Sequence, residues 1–138
     1  MTVAHHELRV DTTRKTETVD ITKRVTDLVQ QSAIADGICV VTVAHTTAGV
    51  FMNENADPDV QRDVLTTLAR LVPDDGDYRH AEGNSPGHLK SILVGTDITV
   101  AIRDGELALG RWQGLYFAEF DGPRHRHATV TLIGDAAG

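Results

Sequence analysis

Histidine is the side chain best able to do acid–base or metal chemistry near neutral pH, and this chain carries seven in 138 residues. Three of them stand beside turn-forming residues rather than on apolar faces. His45 follows the run Val40-Val41-Thr42-Val43-Ala44, His80 lies in a polar loop, and His88 follows Ser85-Pro86-Gly87. Loops held by rigid elements are where ligands bind. Three neutral imidazoles converging on one point make an open Zn²⁺-type site, with a position left for water or substrate. No two of these have i, i+4 spacing, so their convergence depends on the fold. Each is also read as an ordinary hydrogen-bonded loop histidine.

Other chemistry-bearing residues surround these three. Asn53-Glu54-Asn55-Ala56-Asp57 is a dense polar run between a strand and a helix. Its plain reading is an Asp57 helix cap, turn-forming asparagines and a solvated Glu54. Its functional reading makes Glu54 a general base or the outer partner of a metal ligand. Glu82-Gly83-Asn84-Ser85-Pro86-Gly87-His88 places a flexible loop before a helix start, whose free N–H groups bind anions. Lys90 is close by, but Walker spacing is absent. Arg124 and Arg126 share a strand face with Ala128, Val130 and Leu132. An arginine continuing an apolar row needs a buried partner, for which Glu119 is the candidate. A fixed guanidinium also suits bidentate phosphate recognition; the two readings stand equal. Trp112 is read as core or subunit interface. Cys39, in Ile38-Cys39-Val40-Val41, is read as a small buried hydrophobe.

Composition narrows the classes. With 41% hydrophobic and 24% charged residues the chain is globular, and at this length it forms one domain, residues 1–138. Aromatics are only 4%, so the core must be aliphatic. A net charge of −7 argues against nucleic acid, whose phosphates demand a basic surface. No run approaches the roughly 18 apolar residues that span a bilayer. His5, His6 and Glu7 stand where a secretory signal is apolar. The expectation is a cytoplasmic protein with no membrane partner.

The elements that position these residues follow from pattern. Residues 6–21 read as extended. Thr22 is taken as an N-cap, with Val25, Leu28 and Val29 at helical spacing to about Ala33 and a stop at Asp36-Gly37. Ile38 to Val43 is a β-branched run, read as a buried strand, and Val50-Phe51-Met52 is a short second one. Asp57-Pro58 starts a helix with an apolar stripe from Val60 to Leu71, ended by Pro73. Ser85-Pro86 starts a short helix closed by Gly95. Ile98, Val100 and Ile102 alternate into the hairpin turn Asp104-Gly105, and strands follow at 112–120 and 126–133. The result is an α+β domain with a mainly antiparallel sheet, two longer helices and one short one.

The ordered set His45-Thr46-Thr47-Ala48, Asn53-Glu54-Asn55-Ala56-Asp57-Pro58, Glu82-Gly83-Asn84, His88-Leu89-Lys90-Ser91, Trp112-Gln113 and Glu119-Phe120-Asp121-Gly122-Pro123-Arg124 resembles the YjbQ-type family over about residues 7–134. Arg111 departs from it, standing where the family commonly has threonine, and Pro86-Gly87 before His88 is variable ground. The resemblance implies an α+β fold with a barrel-like mixed sheet and a homotrimer with sites near subunit boundaries. It also implies the family's working label, a secondary thiamine-phosphate synthase, which joins hydroxymethylpyrimidine diphosphate to a thiazole phosphate and expels pyrophosphate. On that footing His45, His80 and His88 form the metal cluster (Zn or Mg), with Glu54 and His80 catalytic and Lys90, Arg126 and Asn53 on phosphate. Two rivals use the same residues: a zinc hydrolase with three histidine ligands and Glu54 as base, and a non-catalytic trimeric binder of a small phosphorylated metabolite.

Overall fold

The computed structural model describes residues 1–138, the whole chain. Eight strands and three helices follow in the order β1 (Thr2–Asp11), β2 (Glu17–Asp20), α1 (Thr22–Gln31), β3 (Ile34–Thr42), β4 (Ala48–Glu54), α2 (Pro58–Leu71), α3 (Ser85–Val94), β5 (Asp97–Arg103), β6 (Glu106–Leu107), β7 (Gln113–Glu119) and β8 (His125–Ala136). One sheet, curled into a half-barrel, runs β1-β8-β3-β5-β6, and a smaller one runs β2-β7-β4. Every strand pair is antiparallel, so the mixed sheet implied by the family resemblance gives way to a purely antiparallel arrangement.

The core lies between the two sheets. Alternation along β8 buries Arg126, Ala128, Val130 and Leu132 on one face, while His125 and His127 point outward. This is the facing that the sequence pattern requires of a half-buried strand. Opposite them, β4 and β7 contribute Ala48, Val50, Leu115 and Phe117 to the same cluster, and α1 closes it with Val25 and Val29. Phe117 is the one aromatic in that cluster; the rest is aliphatic or Cys39, as the composition demands.

Three boundaries differ from the sequence pattern. Ile21, not Thr22, occupies the N-cap position of α1; the Thr22 hydroxyl instead donates to Asp20 and accepts from the Leu115 amide, tying helix to sheet. The helix ends at Gln31, two residues before Ala33, which takes a positive φ of 60°, and β3 begins four residues before the expected Ile38. A register shift between Ile34 and Asp36 absorbs the polar Asp36-Gly37 pair inside the strand. The helix at Ser85 is as long as α1, ten residues each.

α2 and α3 begin as expected. Asp57 extends β-like and accepts from the Asp59 amide, with Pro58 at the first helical position. α3 lies directly against the sheet end that carries the histidines. A Cβ on Gly87 would stand 2.9 Å from the Phe120 carbonyl oxygen, and one on Gly49 would stand 2.6 Å from the Gly95 carbonyl oxygen. Both glycines let backbone approach backbone where a side chain leaves no room. Gly87→Val should therefore push α3 off β7 and cost about 1–3 kcal/mol in urea unfolding. Unchanged stability would mean that α3 is not held by this contact.

Candidate active site

Arg126 and Glu119 meet between the two sheets. Glu119 is fully buried at 0% exposure and Arg126 nearly so at 5%. Arg126 donates from Nε to Glu119 Oε1 at 2.9 Å and from Nη2 to Oε2 at 2.5 Å, a bidentate pairing. Nη2 also donates to the Thr47 hydroxyl at 2.8 Å and carbonyl at 3.2 Å. The buried partner read for Arg126 from its apolar row is thus Glu119. Nη1 has no protein acceptor, and Arg126 borders a polar cavity of about 330 Å³ together with His45, Thr46, Asn84, His88 and Arg124. Burial alone pushes the Glu119 carboxyl up, but bonds from Arg126, Thr12 and the Asp121 amide outweigh it and hold the group below its ordinary value.

The two histidines on this cavity are set in opposite senses. The His88 Nδ1 faces the Thr46 carbonyl at 3.1 Å, and a carbonyl only accepts, so Nδ1 carries a proton and the neutral ring has its lone pair on Nε2. The His45 Nε2 accepts from the His127 amide at 3.1 Å, which leaves the proton on Nδ1. One ring thus offers a base and the other a donor. Burial, then the nearby Arg126 charge, hold His45 below its ordinary value and keep it neutral. Both rings also border a second, less charged cavity of about 380 Å³ with Ser91, Ile92, Gly95 and Thr96. A third, of about 480 Å³, lies on the far side of His88 under Tyr78, Arg79 and His80. His88 lines all three.

Several expected site residues fall elsewhere. His80 touches His88 edge-on, ring centroids 5.2 Å apart, and stands 3.7 Å from Glu82, but it borders only the third cavity. No three His, Cys, Asp or Glu side chains stand together as a metal-binding group. The three-histidine centre is therefore not formed within the chain, because the His45 Nε2 is turned to the His127 amide and His80 sits behind His88. Lys90 lies two residues from His88, about 200° round the helix. It is 4% exposed on the inner face of α3, away from all of these cavities. There burial keeps its ammonium below the ordinary value, opposed by Asp74 and reinforced by Lys15.

Glu54 and Asn53 sit at the other end of β4, which spans seven residues or roughly 20 Å. Asn53 accepts from the Glu54 amide and borders an apolar groove with Phe51, Val60, Val64, Leu68 and Val94. Glu54 Oε2 is buried with no partner, beside the equally unpartnered Gln61 Oε1. At the helix start Pro86 has no N–H and the Gly87 and His88 amides both close on the Asn84 carbonyl, which leaves the Ser85 amide as the donor there. Sequence reasoning did not single out Thr12, Thr47, Asn84 or Asp121 as site residues. Thr47 and Asp121 at least adjoin His45 and Glu119 in the chain; Thr12 gives no signal.

Glu119 supplies a pH test. Its folded value lies below the reference 4.5, so its stabilisation is complete above 4.5 and is lost as pH falls through the folded value. Glu119→Gln leaves Arg126 buried without its counter-charge and should cost about 3–5 kcal/mol at pH 7. It should also flatten the acid limb of stability measured by urea unfolding from pH 7 to 3. An unaltered limb would assign acid sensitivity to other carboxylates.

Known proteins carry the same fold and motifs. The model of the UPF0047 protein YjbQ-like family matches residues 6–135. A UPF0047 protein of Methanocaldococcus jannaschii is 48% identical over 92% of this chain and 92% of its own length. The UPF0047 protein YugU of Bacillus subtilis is 43% identical over 92% of this chain and 97% of its own. A crystal structure of an uncharacterised protein of this family from Clostridium acetobutylicum, 48% identical, superposes with a TM-score of 0.91 over 93% of this chain and 99% of that one. A YbjQ-like protein of unknown function from Sulfolobus solfataricus, 34% identical, gives 0.94 over 97% and 99%. The chain belongs to the UPF0047, YjbQ-like family.

Proposed function

We propose that the chain is an enzyme that joins two small phosphorylated substrates at His88 and expels pyrophosphate, a reaction of the thiamine-phosphate synthase type. The observation that carries this reading is the position of His88, with a free Nε2, in the wall common to three cavities. A condensation needs room for two organic bodies and a leaving group, whereas hydrolysis needs only one body and a water. Here the charged cavity suits pyrophosphate and the two less charged ones suit the bodies. As the carbon–oxygen bond breaks, its electron pair passes to a pyrophosphate oxygen. Arg126 Nη1 and the His45 Nδ1–H are fixed donors for that growing charge. The new carbon–nitrogen bond forms from the lone pair of the thiazole nitrogen, which carries no proton. The proton handled at His88 Nε2 is therefore the one given to the departing pyrophosphate oxygen.

Charge adds a condition. Arg124 is paired with Asp121 at 3.0 Å and Arg126 with Glu119, while Glu82 also borders the cavity. Two guanidinium charges thus face three carboxylates. A diphosphate brings about three more negative charges and needs a companion cation. We infer that the divalent ion, Mg²⁺ or Zn²⁺, enters with the substrate, whose oxygens supply ligands that the protein alone does not. The hydrolase alternative has less support, because it requires a resident three-histidine centre.

No helix is long and apolar enough to cross a membrane. A cytoplasmic setting is proposed with the activity, whose phosphorylated substrates are metabolites of that compartment; the buried free thiol of Cys39 agrees with it.

A homotrimer belongs to the same proposal. Ile92 and Leu93 on α3 are 76% and 61% exposed, and Leu71 and Trp112 are 68% and 56% exposed. α2 buries none of its residues, and the apolar groove of about 460 Å³ beside it reaches the end of α3 at Val94 without including Ile92 or Leu93. A projecting row and a groove that does not contain it favour head-to-tail association, and a three-fold rotation closes such contacts into a ring. In such a ring Asn53 and Glu54 reach a cleft only in the neighbouring copy.

Two experiments test these statements. Purified protein given both precursors and Mg²⁺ should release pyrophosphate and form the condensed product, and His88→Ala should lower the rate by about 10²–10⁴-fold. The protein purified without added metal should contain less than one equivalent of tightly held Zn²⁺. No product, or a His88→Ala rate equal to wild type, refutes the transferase; a stoichiometric zinc supports the hydrolase. Separately, His88→Ala and Glu54→Ala chains should each be inactive alone. Unfolded together and reassembled, they should regain part of the activity if copies share a site, and none if Glu54 serves only its own chain.

A further inference from the structure

The buried Glu119–Arg126 pair has a third member that touches no cavity. Thr12 lies just past the end of β1 and is 7% exposed. Its hydroxyl is 2.7 Å from Glu119 Oε1 and accepts from the Arg124 amide at 2.9 Å. The Arg124 carbonyl is also within 3.2 Å, but a hydroxyl has one proton, and the shorter contact to an ionised carboxylate takes it. Glu119 is thereby saturated. Oε1 accepts from Arg126 Nε and Thr12, and Oε2 accepts from Arg126 Nη2 and from the Asp121 amide at 3.0 Å. With four acceptor positions filled and no exposed surface, this carboxylate is not free to act as a base or to touch a ligand. What remains for it is to hold a guanidinium still.

Gly122 leaves no room for a side chain at this point: a Cβ there would stand 2.3 Å from the Arg14 carbonyl oxygen, 2.8 Å from Glu119 Cγ and 2.9 Å from Thr12 Oγ1. The Gly122 amide in turn donates to the Lys15 carbonyl, holding the segment just beyond β1 against the β7–β8 turn.

We propose that Thr12 is a positioning residue for the anion-binding edge of Arg126. Its bond fixes the plane of the Glu119 carboxylate, the carboxylate fixes the guanidinium, and Nη1 is thereby aimed into the cavity. The inference rests on the reading of that cavity as an anion site. It adds that the aim is set from the end of β1, the strand paired with β8, by a residue about 110 positions away in sequence from Glu119 and Arg126.

The full-length protein tests it with Mg²⁺-pyrophosphate as probe, measured by calorimetry, and with the Arg126 Nε–H resonance followed by NMR. Thr12→Val keeps the shape and removes the hydroxyl. It should weaken probe binding about tenfold, equivalent to about 1.4 kcal/mol, and shift or broaden the Arg126 Nε–H signal. Thr12→Ser, which restores the hydroxyl, should recover both. Thr12→Val with wild-type affinity and an unmoved Nε–H signal overturns the positioning role, even if its melting temperature falls. If Thr12→Val does not fold, the Ser variant and Thr12→Ala carry the same comparison: equal affinity in those two overturns it. Arg126→Gln separates the two levels. If that change leaves probe binding intact, the anion-site reading fails; if it abolishes binding while Thr12→Val does not weaken it, only the positioning role fails.

Discussion

A charged pair between two sheets is the constraint on which the site depends. Burying a carboxylate and a guanidinium is costly unless nearly every donor and acceptor is met. Here Glu119 has all its acceptor positions filled, and Arg126 has only Nη1 free. Satisfying them demands that β7, β8, the residue after β1 and the residue before β4 arrive together. The end of the sandwich is therefore fixed more tightly than apolar packing would fix it, since a guanidinium specifies direction where a leucine specifies only volume. Arg126 also borders the cavity, so the bonds that close the core hold a residue of the cavity wall.

The surrounding groups share that economy. The Thr46-Thr47 segment serves both sides: the Thr46 carbonyl sets the tautomer of His88, and the Thr47 hydroxyl and carbonyl oxygens share Arg126 Nη2 as donor. α3 is brought near enough for the first of these because Gly87 and Gly49 let backbones touch. Asn84, at the cap position of α3, donates to Asp121, which also receives Arg124. Burial raises the Asp121 carboxyl, but the bonds from Asn84 and Arg124 more than reverse this and leave it below its usual value. The cleft is thus polar and donor-rich without a positive excess. Recognition there is a matter of hydrogen-bond direction more than of net charge.

The polar residues of the family pattern separate into two groups at opposite ends of β4 and β7, because Ala48 pairs with Glu119 and Glu54 with Gln113. One group holds the histidines and Arg126. The other holds Asn53, Glu54 and the exposed Trp112, stacked under Arg111 at 4.8 Å. Arg111, the visible departure from the family pattern, is thus a surface residue whose main contact is that ring. It leaves the histidine end unaltered.

The amino-acid sequence by itself determined the elements, because each is written in local chemistry. Asp57-Pro58 and Ser85-Pro86 start helices, Asp104-Gly105 turns a hairpin at φ of 51° and 79°, and alternation along β8 puts Arg126 inside and His125 outside. It also determined that Arg126 needed a buried carboxylate, and that Glu119 could be it. Only the tertiary structure decided which polar residues meet. Whether Lys90 or His88 faces the cleft is a matter of about 200° around one helix, and whether Glu54 joins His45 is a matter of which end of a strand each occupies. Thr12 bonds to Glu119 across 107 residues of chain, a distance over which neither periodicity nor local motif carries information. Such pairings follow from sheet register and packing, which the whole chain sets at once.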